Sequence, residues 1–242
     1  MTEQEIIKHT RKAFTIFKSS NLGITHKLID ILTEIVIIVF AVSVSIGFHN
    51  WSERRHDNKE EREFLLGFRK DLQIEITNMT NSKEFYSETL LGIKYFLNVE
   101  KGITLNRDSA SKYSSIFFGT TSLDPHIGRY EGLKSSGKFR IIENKELLNN
   151  MIDLHETIIQ RIQLLNEKYD QQTAKLASLV EQNLQYSTDG IITNAEEVIR
   201  RNDMRILLNL SRGLITENVI GIHEEGIKKC KEIITQIDEE SR

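Results

Sequence analysis

The residue patterns that could do chemistry are few, and each is incomplete. Gly132 to Lys138 matches G-x-x-x-x-G-K. A phosphate-binding loop uses such glycines so that backbone N–H groups can cradle phosphate, and it follows the lysine with Ser or Thr to hold Mg²⁺. Here Phe139 follows, and the preceding stretch from Asp124 to Glu131 is polar and turn-rich where a strand is required. A tight turn is the expectation. His155-Glu156 and His223-Glu224 open the zinc-protease pattern H-E-x-x-H but lack its second histidine. Both pairs fall in charge-rich helical stretches and are expected on solvated surface. Cys230, the one cysteine, sits between Ile227 and Ile233 and reads as a small core residue. No catalytic, cofactor-binding or metal-ligating set emerges, so the expectation is a non-enzymatic protein with no cofactor.

Two groups of residues remain as candidate sites. Asp124, His126, Arg129, Tyr130 and Glu131 form the densest polar cluster of an irregular stretch. Loops of this kind carry function when a rigid scaffold holds them, so a partner or ligand could bind there; the plainer reading is a satisfied capping network. The other group is Glu34 and Trp51, which belong to the most apolar part of the chain.

That part runs from Leu28 to Phe48, and from Ile31 onward only Thr33, Glu34, Ser43 and Ser45 are polar. At ~1.5 Å per residue, ~20 residues cross the hydrocarbon core of a bilayer. Trp51 follows at the depth indoles prefer, and Arg54 and Arg55 end the span. A cleaved signal peptide and a buried core helix are the competing readings. The tripeptide Ser45 to Gly47 fits a cleavage site poorly. Glu34, about a turn inside one end, either snorkels to the interface or pairs across a helix–helix contact. Small residues at Ala41, Ser43, Ser45 and Gly47 would let backbones approach in lipid. Lys8, Arg11, Lys12, Lys18 and Lys27 precede the span, which favours a cytoplasmic N-terminus and places 52–242 in the periplasm. Residues 1–27 read as a basic amphipathic segment on the inner leaflet or as a charged tail.

Beyond the span, apolar residues recur at alternating steps of three and four. Leu65, Phe68, Leu72, Ile76, Met79, Tyr86, Leu90, Ile93 and Leu97 form one seam, interrupted by Lys83. The predicted helix continues the membrane segment to about Val99 and would project ~70 Å. A second helix is predicted from Asn144, a good N-cap, with Glu146 in its first turn. Its seam runs Leu147, Met151, Leu154, Ile158, Ile162, Leu165, Tyr169 and on to Leu184, and Leu148, Ile152 and Ile159 widen it. A third helix is predicted to begin between Asn194 and Asp203 and to reach the C-terminus, with kinks plausible at Gly213, Gly221 and Gly226. Between the first two, a short helix is expected over Ser109 to Phe118, with turns at Pro125, Gly128, Gly132 and Gly137. Long amphipathic helices satisfy their faces by packing together. The expected fold class is therefore all-α: one N-terminal transmembrane helix (28–51) continuing into a long antiparallel helical bundle (52–242). A net charge of −3 argues against a general nucleic-acid partner.

The stretch from Glu34 through Asn50, Trp51 and the Lys59 to Arg62 helix start resembles the membrane signature of an uncharacterised family of small Bacteroidota single-span membrane proteins. The stretch from Tyr130 to Leu148 resembles the same family. Thr33, Phe40 and Ala41 stand where that family often has glycine. The resemblance implies the single-span topology and marks Glu34, Asn50 and Trp51 as signature positions; it implies no activity. Together these readings lead to an expected membrane-anchored scaffold or partner-binding subunit of a bacterial envelope complex. Its partners would be lipid and a second copy or an envelope protein. A periplasmic ligand sensor signalling through the continuous helix is the alternative.

Overall fold

The computed structural model describes residues 24–99, 104–121, 123 and 125–240, and the chain is all-α. The basic segment expected over 1–27 lies outside the described residues except for its last four, which are helical. The first helix, α1, runs unbroken over Ile24–Val99. Its apolar run and its charged continuation share one helix because the single proline is far downstream and the three glycines within it, Gly47, Gly67 and Gly92, are tolerated inside a helix. The chain divides into two compact units, Met1–Glu61 and Arg62–Arg242.

In the first unit, an 18-residue stretch near the N-terminal end of α1 has a mean hydropathy of 2.0 and is 6% buried. Ile35, Val36, Val39, Phe40, Ile46 and Phe48 are all exposed. Two hydroxyls in this run turn back onto their own helix: Thr33 donates to the Ile29 carbonyl and Ser45 to that of Ala41, each at 2.8 Å. A helix so satisfied internally suits a solvent that offers no hydrogen bonds.

The second unit is a bundle of three long helical rods. The first is the remainder of α1. The second is α4 (Lys145–Asp153), a π-helical turn (Leu154–Ile159) and α5 (Gln160–Asn183). The third is α7 (Asn202–Leu214), a π-helical turn (Ile215–Val219) and α8 (Ile220–Glu240), preceded by the short α6 (Ala195–Arg200). The Asn144 side chain caps α4, accepting from the backbone N–H of Glu146 at 2.9 Å and of Leu147 at 3.0 Å. The predicted third helix breaks once, at Arg201, where the backbone is extended.

Side-chain contacts give the helix directions. On α1, Arg69 meets Asp238 and Lys83 meets Glu224, so α8 runs antiparallel to α1. Asn150 meets Gln236 and Arg161 meets Glu225, so α8 is antiparallel to the second rod also. Phe68, however, meets His155 and Tyr86 meets Tyr169, so the first two rods run parallel. The crossover between them makes this possible. It carries α2 (Arg107–Tyr113), a 3₁₀ turn (Ser114–Phe117), α3 (Gly128–Ser135) and a second 3₁₀ turn (Lys138–Ile141) back along the bundle.

Every predicted position of the α1 seam from Leu65 to Leu97 is buried except Ile76, which is partly so. The core forms two clusters stacked along the bundle. One includes Phe68, Met79, Met151, Ile162, Ile222 and Ile237; the other includes Tyr86, Ile93, Tyr169, Leu208 and Val219. At their junction the buried positions are polar: Ser82, Asn166 and His223.

Candidate functional site

The expected partner loop is assembled around α3, where Tyr130 is buried while His126, Arg129 and Glu131 stand at the surface, His126 and Arg129 reaching back to α1. Asp124 lies outside the described residues. The His126 backbone N–H donates to the carboxylate of Glu75, a buried acid on α1, and the imidazole stands 3.9 Å from that group. Arg129 Nε donates to Asp71 Oδ2 at 2.9 Å. Its guanidinium packs against Gly67, where an added Cβ would come within 2.3 Å of Cζ and oblige the arginine to shift. Tyr130 is buried, and its hydroxyl donates to Glu156 Oε1 at 2.9 Å. Lys134 donates to the same oxygen at 2.6 Å and approaches Glu131 at 3.8 Å. The loop residues therefore come together as clasps that hold α3 onto α1 and the second rod.

The turns expected at Gly128 and Gly132 are corrected: Gly128–Ser135 is helix. Gly137, with φ of +67°, makes the left-handed turn that ends it. The phosphate-loop look-alike is thus a helix and its terminal turn.

His155 and His223 correct the expectation of solvated surface. His155 is 6% exposed and His223 0% exposed. His155 sits in the first π-helical turn with its ring stacked on Tyr130, centroids 4.1 Å apart, and the Phe68 ring is tilted against it at 5.6 Å. Neither ring nitrogen has a hydrogen-bond partner among the described residues. Burial pushes its pKa down to about 4, with the Glu156 carboxylate opposing and Lys134 reinforcing the shift. Burial also raises Tyr130, and the hydrogen bond to Glu156 adds to it. Lys134 and then Tyr130 hold Glu156 below the usual carboxylate range. A general base needs a pKa near the working pH and access to substrate. This neutral, enclosed imidazole has neither, so its role is packing.

His223 follows the second π-helical turn. Its Nδ1 lies 2.7 Å from the Val219 carbonyl, which can only accept, so Nδ1 carries the proton. Beside it, Tyr86 donates to Asn166 Oδ1 at 2.8 Å and meets Tyr169 edge-on at 5.0 Å. Burial lowers the pKa of His223. Cys230 is in the core as expected, and burial, with Glu75 nearby, pushes its thiol up to about 12, so it stays a protonated packing group.

A periodicity signal for the histidines was present. His155 continues the widening stripe of Leu148, Ile152 and Ile159 at steps of four, three and four. His223 falls on the face of Val219, Gly226 and Cys230.

The second candidate group lies in the first unit. Glu34 is buried, at 6% exposure, among exposed neighbours. Trp51 is 56% exposed, and the Arg55 guanidinium lies over its ring, 4.8 Å from the centroid. Among the described residues, His56, Asp57 and Glu60 bring ligand atoms within 4.8 Å of one another. They are surface groups on one helix flanked by Arg55 and Lys59, cations that oppose a bound metal. No family model matches the chain, and comparisons with curated proteins and with solved structures return no match.

Proposed function

We propose that this chain is a single-span membrane protein whose helical bundle serves as a scaffold or partner-binding subunit of a bacterial envelope complex, without catalysis. In this reading the N-terminus is cytoplasmic and 52–242 periplasmic, and the resemblance to the Bacteroidota single-span family agrees with that layout. The observation that carries the reading is the surface of α1 from Leu32 to Trp51, where large apolar side chains stand exposed and the Thr33 and Ser45 hydroxyls bond to their own helix. A contiguous apolar surface of this kind needs lipid or protein to cover it. In support of a binding rather than a chemical role, the polar residues of α3 are engaged in holding the fold. Carbonate washing of native membranes should leave the full-length chain in the pellet. Cross-linking in those membranes should then capture a second copy or an envelope protein. Full-length chain recovered in the soluble fraction would reject the proposal.

A sensor is the second reading. It draws on the unbroken helix Ile24–Val99, which provides a covalent path from the apolar segment into the bundle. A ligand that raises the thermal midpoint of the full chain would favour it.

A further inference from the structure

The apolar segment of α1 ends in a charge-segregated turn. An α-helix turns ~100° per residue, so Trp51, Arg55 and Lys59 share one side of the helix, with Arg54 flanking it. Glu53, Asp57 and Glu60 fall on the opposite side. The basic side continues downward as a shallow apolar groove lined by Val44, Gly47, Phe48 and Trp51. The groove exists because Gly47 has no side chain; a Cβ built there meets nothing within 4 Å. Groove, indole and guanidinium therefore follow one another along a single face, apolar first, amphipathic next, cationic last.

Distances along the axis choose the occupant. The polar layer of a bilayer is ~5–8 Å thick on each side of the hydrocarbon core. Arg54 and Arg55 stand ~4.5–6 Å beyond Trp51, at phosphate depth, whereas Lys59 at ~12 Å is past it. The ~6 Å is the rise of the Arg55 backbone; its guanidinium leans back over the Trp51 ring, 4.8 Å from the centroid, which holds the fork beside the indole at the headgroup edge while leaving its N–H donors for a phosphate.

We infer that Gly47, Trp51, Arg54 and Arg55 form a binding site for an anionic glycerophospholipid, with an acyl chain along the Gly47 groove and the phosphate on the two arginines. This rests on the membrane-anchor reading above. The acids on the far side make the site one-faced: a net-neutral turn attracts an anion only where its basic side is presented.

The chain's one tryptophan is the reporter. The full-length protein is reconstituted in phosphatidylcholine vesicles containing phosphatidylglycerol. In one preparation the phosphatidylglycerol is brominated near the headgroup end of its acyl chains; in the other an equal amount of phosphatidylcholine is. Brominated phosphatidylglycerol should quench Trp51 preferentially, with an apparent enrichment of about five-fold for each arginine engaged, the worth of one basic side chain at an anionic surface. R54Q/R55Q should lose that preference, R54K/R55K should keep it, and G47L should weaken quenching by both lipids. Equal quenching of the parent protein by the two lipids overturns the inference and leaves the anchor intact. A preference that survives in R54Q/R55Q also overturns it. Quenching by aqueous acrylamide but by neither lipid would instead remove the anchor. If R54Q/R55Q abolishes cross-linking between copies while the lipids quench equally, the arginines meet a second copy and the lipid assignment fails.

Discussion

The phenol of Tyr130 lies almost flat on the imidazole of His155, with ring planes 11° apart, and the Tyr130 hydroxyl reaches the neighbouring residue of the same π-helical turn, Glu156. One side chain from the crossover thus fastens α3 to the second rod by a stacked ring pair and a charge-assisted hydrogen bond. Tyr130→Phe removes only the hydrogen bond and should lower stability by about 1–2 kcal/mol. Tyr130→Ala also empties the ring's place and should cost about 3–5 kcal/mol. Urea titrations of the full chain in detergent, followed by circular dichroism, measure both. Equal losses for the two variants would mean that the ring contributes nothing beyond its hydroxyl.

His155 makes stability depend on pH. Its folded pKa of about 4 lies below the 6.5 of the unfolded chain. The unfolded state therefore binds the proton more readily. Stability is full above the unfolded value, falls as pH drops from about 6.5 to 4, and levels off below that. The loss attributable to this group is about 3 kcal/mol at most. His155→Phe should reduce the slope in this window, and His223, whose pKa is shifted in the same direction by burial, should contribute to the slope that remains. Unfolding midpoints measured across the window test this; an unchanged slope in the variant would contradict it.

Two glycines of α8 should respond in opposite ways to alanine. At Gly221, an exposed helical position, an added Cβ meets nothing within 4 Å, and G221A should stabilise by about 0.5–1 kcal/mol through lower chain entropy. At Gly226, the same Cβ would stand 2.6 Å from Met79 Sδ, with Ile158 at 3.4 Å. Met79 is wholly buried and has little room to retreat, so overpacking of about 1–3 kcal/mol outweighs the helix gain and G226A should destabilise. Thermal midpoints of the two variants, measured side by side, should move in opposite directions.

Asn144→Ala should cost about 1 kcal/mol, because it leaves two N–H groups of the first turn of α4 without their acceptor. Asn144→Ser should restore most of the loss. A serine variant no better than alanine would show that the cap carries no weight here.

The sequence alone determined what depends on neighbours three and four residues away. The seam from Leu65 to Leu97, the Asn144 cap and the burial of Cys230 are local consequences of helical period and side-chain chemistry, as is the length of the apolar run from Leu28 to Phe48. Only the tertiary structure decided which rods run parallel, because the direction of the second rod depends on a crossover whose path is set by distant contacts: Arg129 on Asp71, His126 on Glu75, Tyr130 on Glu156. These pairs join residues far apart in sequence, so no local spacing reveals them. The burial of His155 and His223 belongs to the same class. Each sits beside charges that suggest solvent. What encloses His155 is a ring from another element, and what encloses His223 is the pairing of three helices at one height.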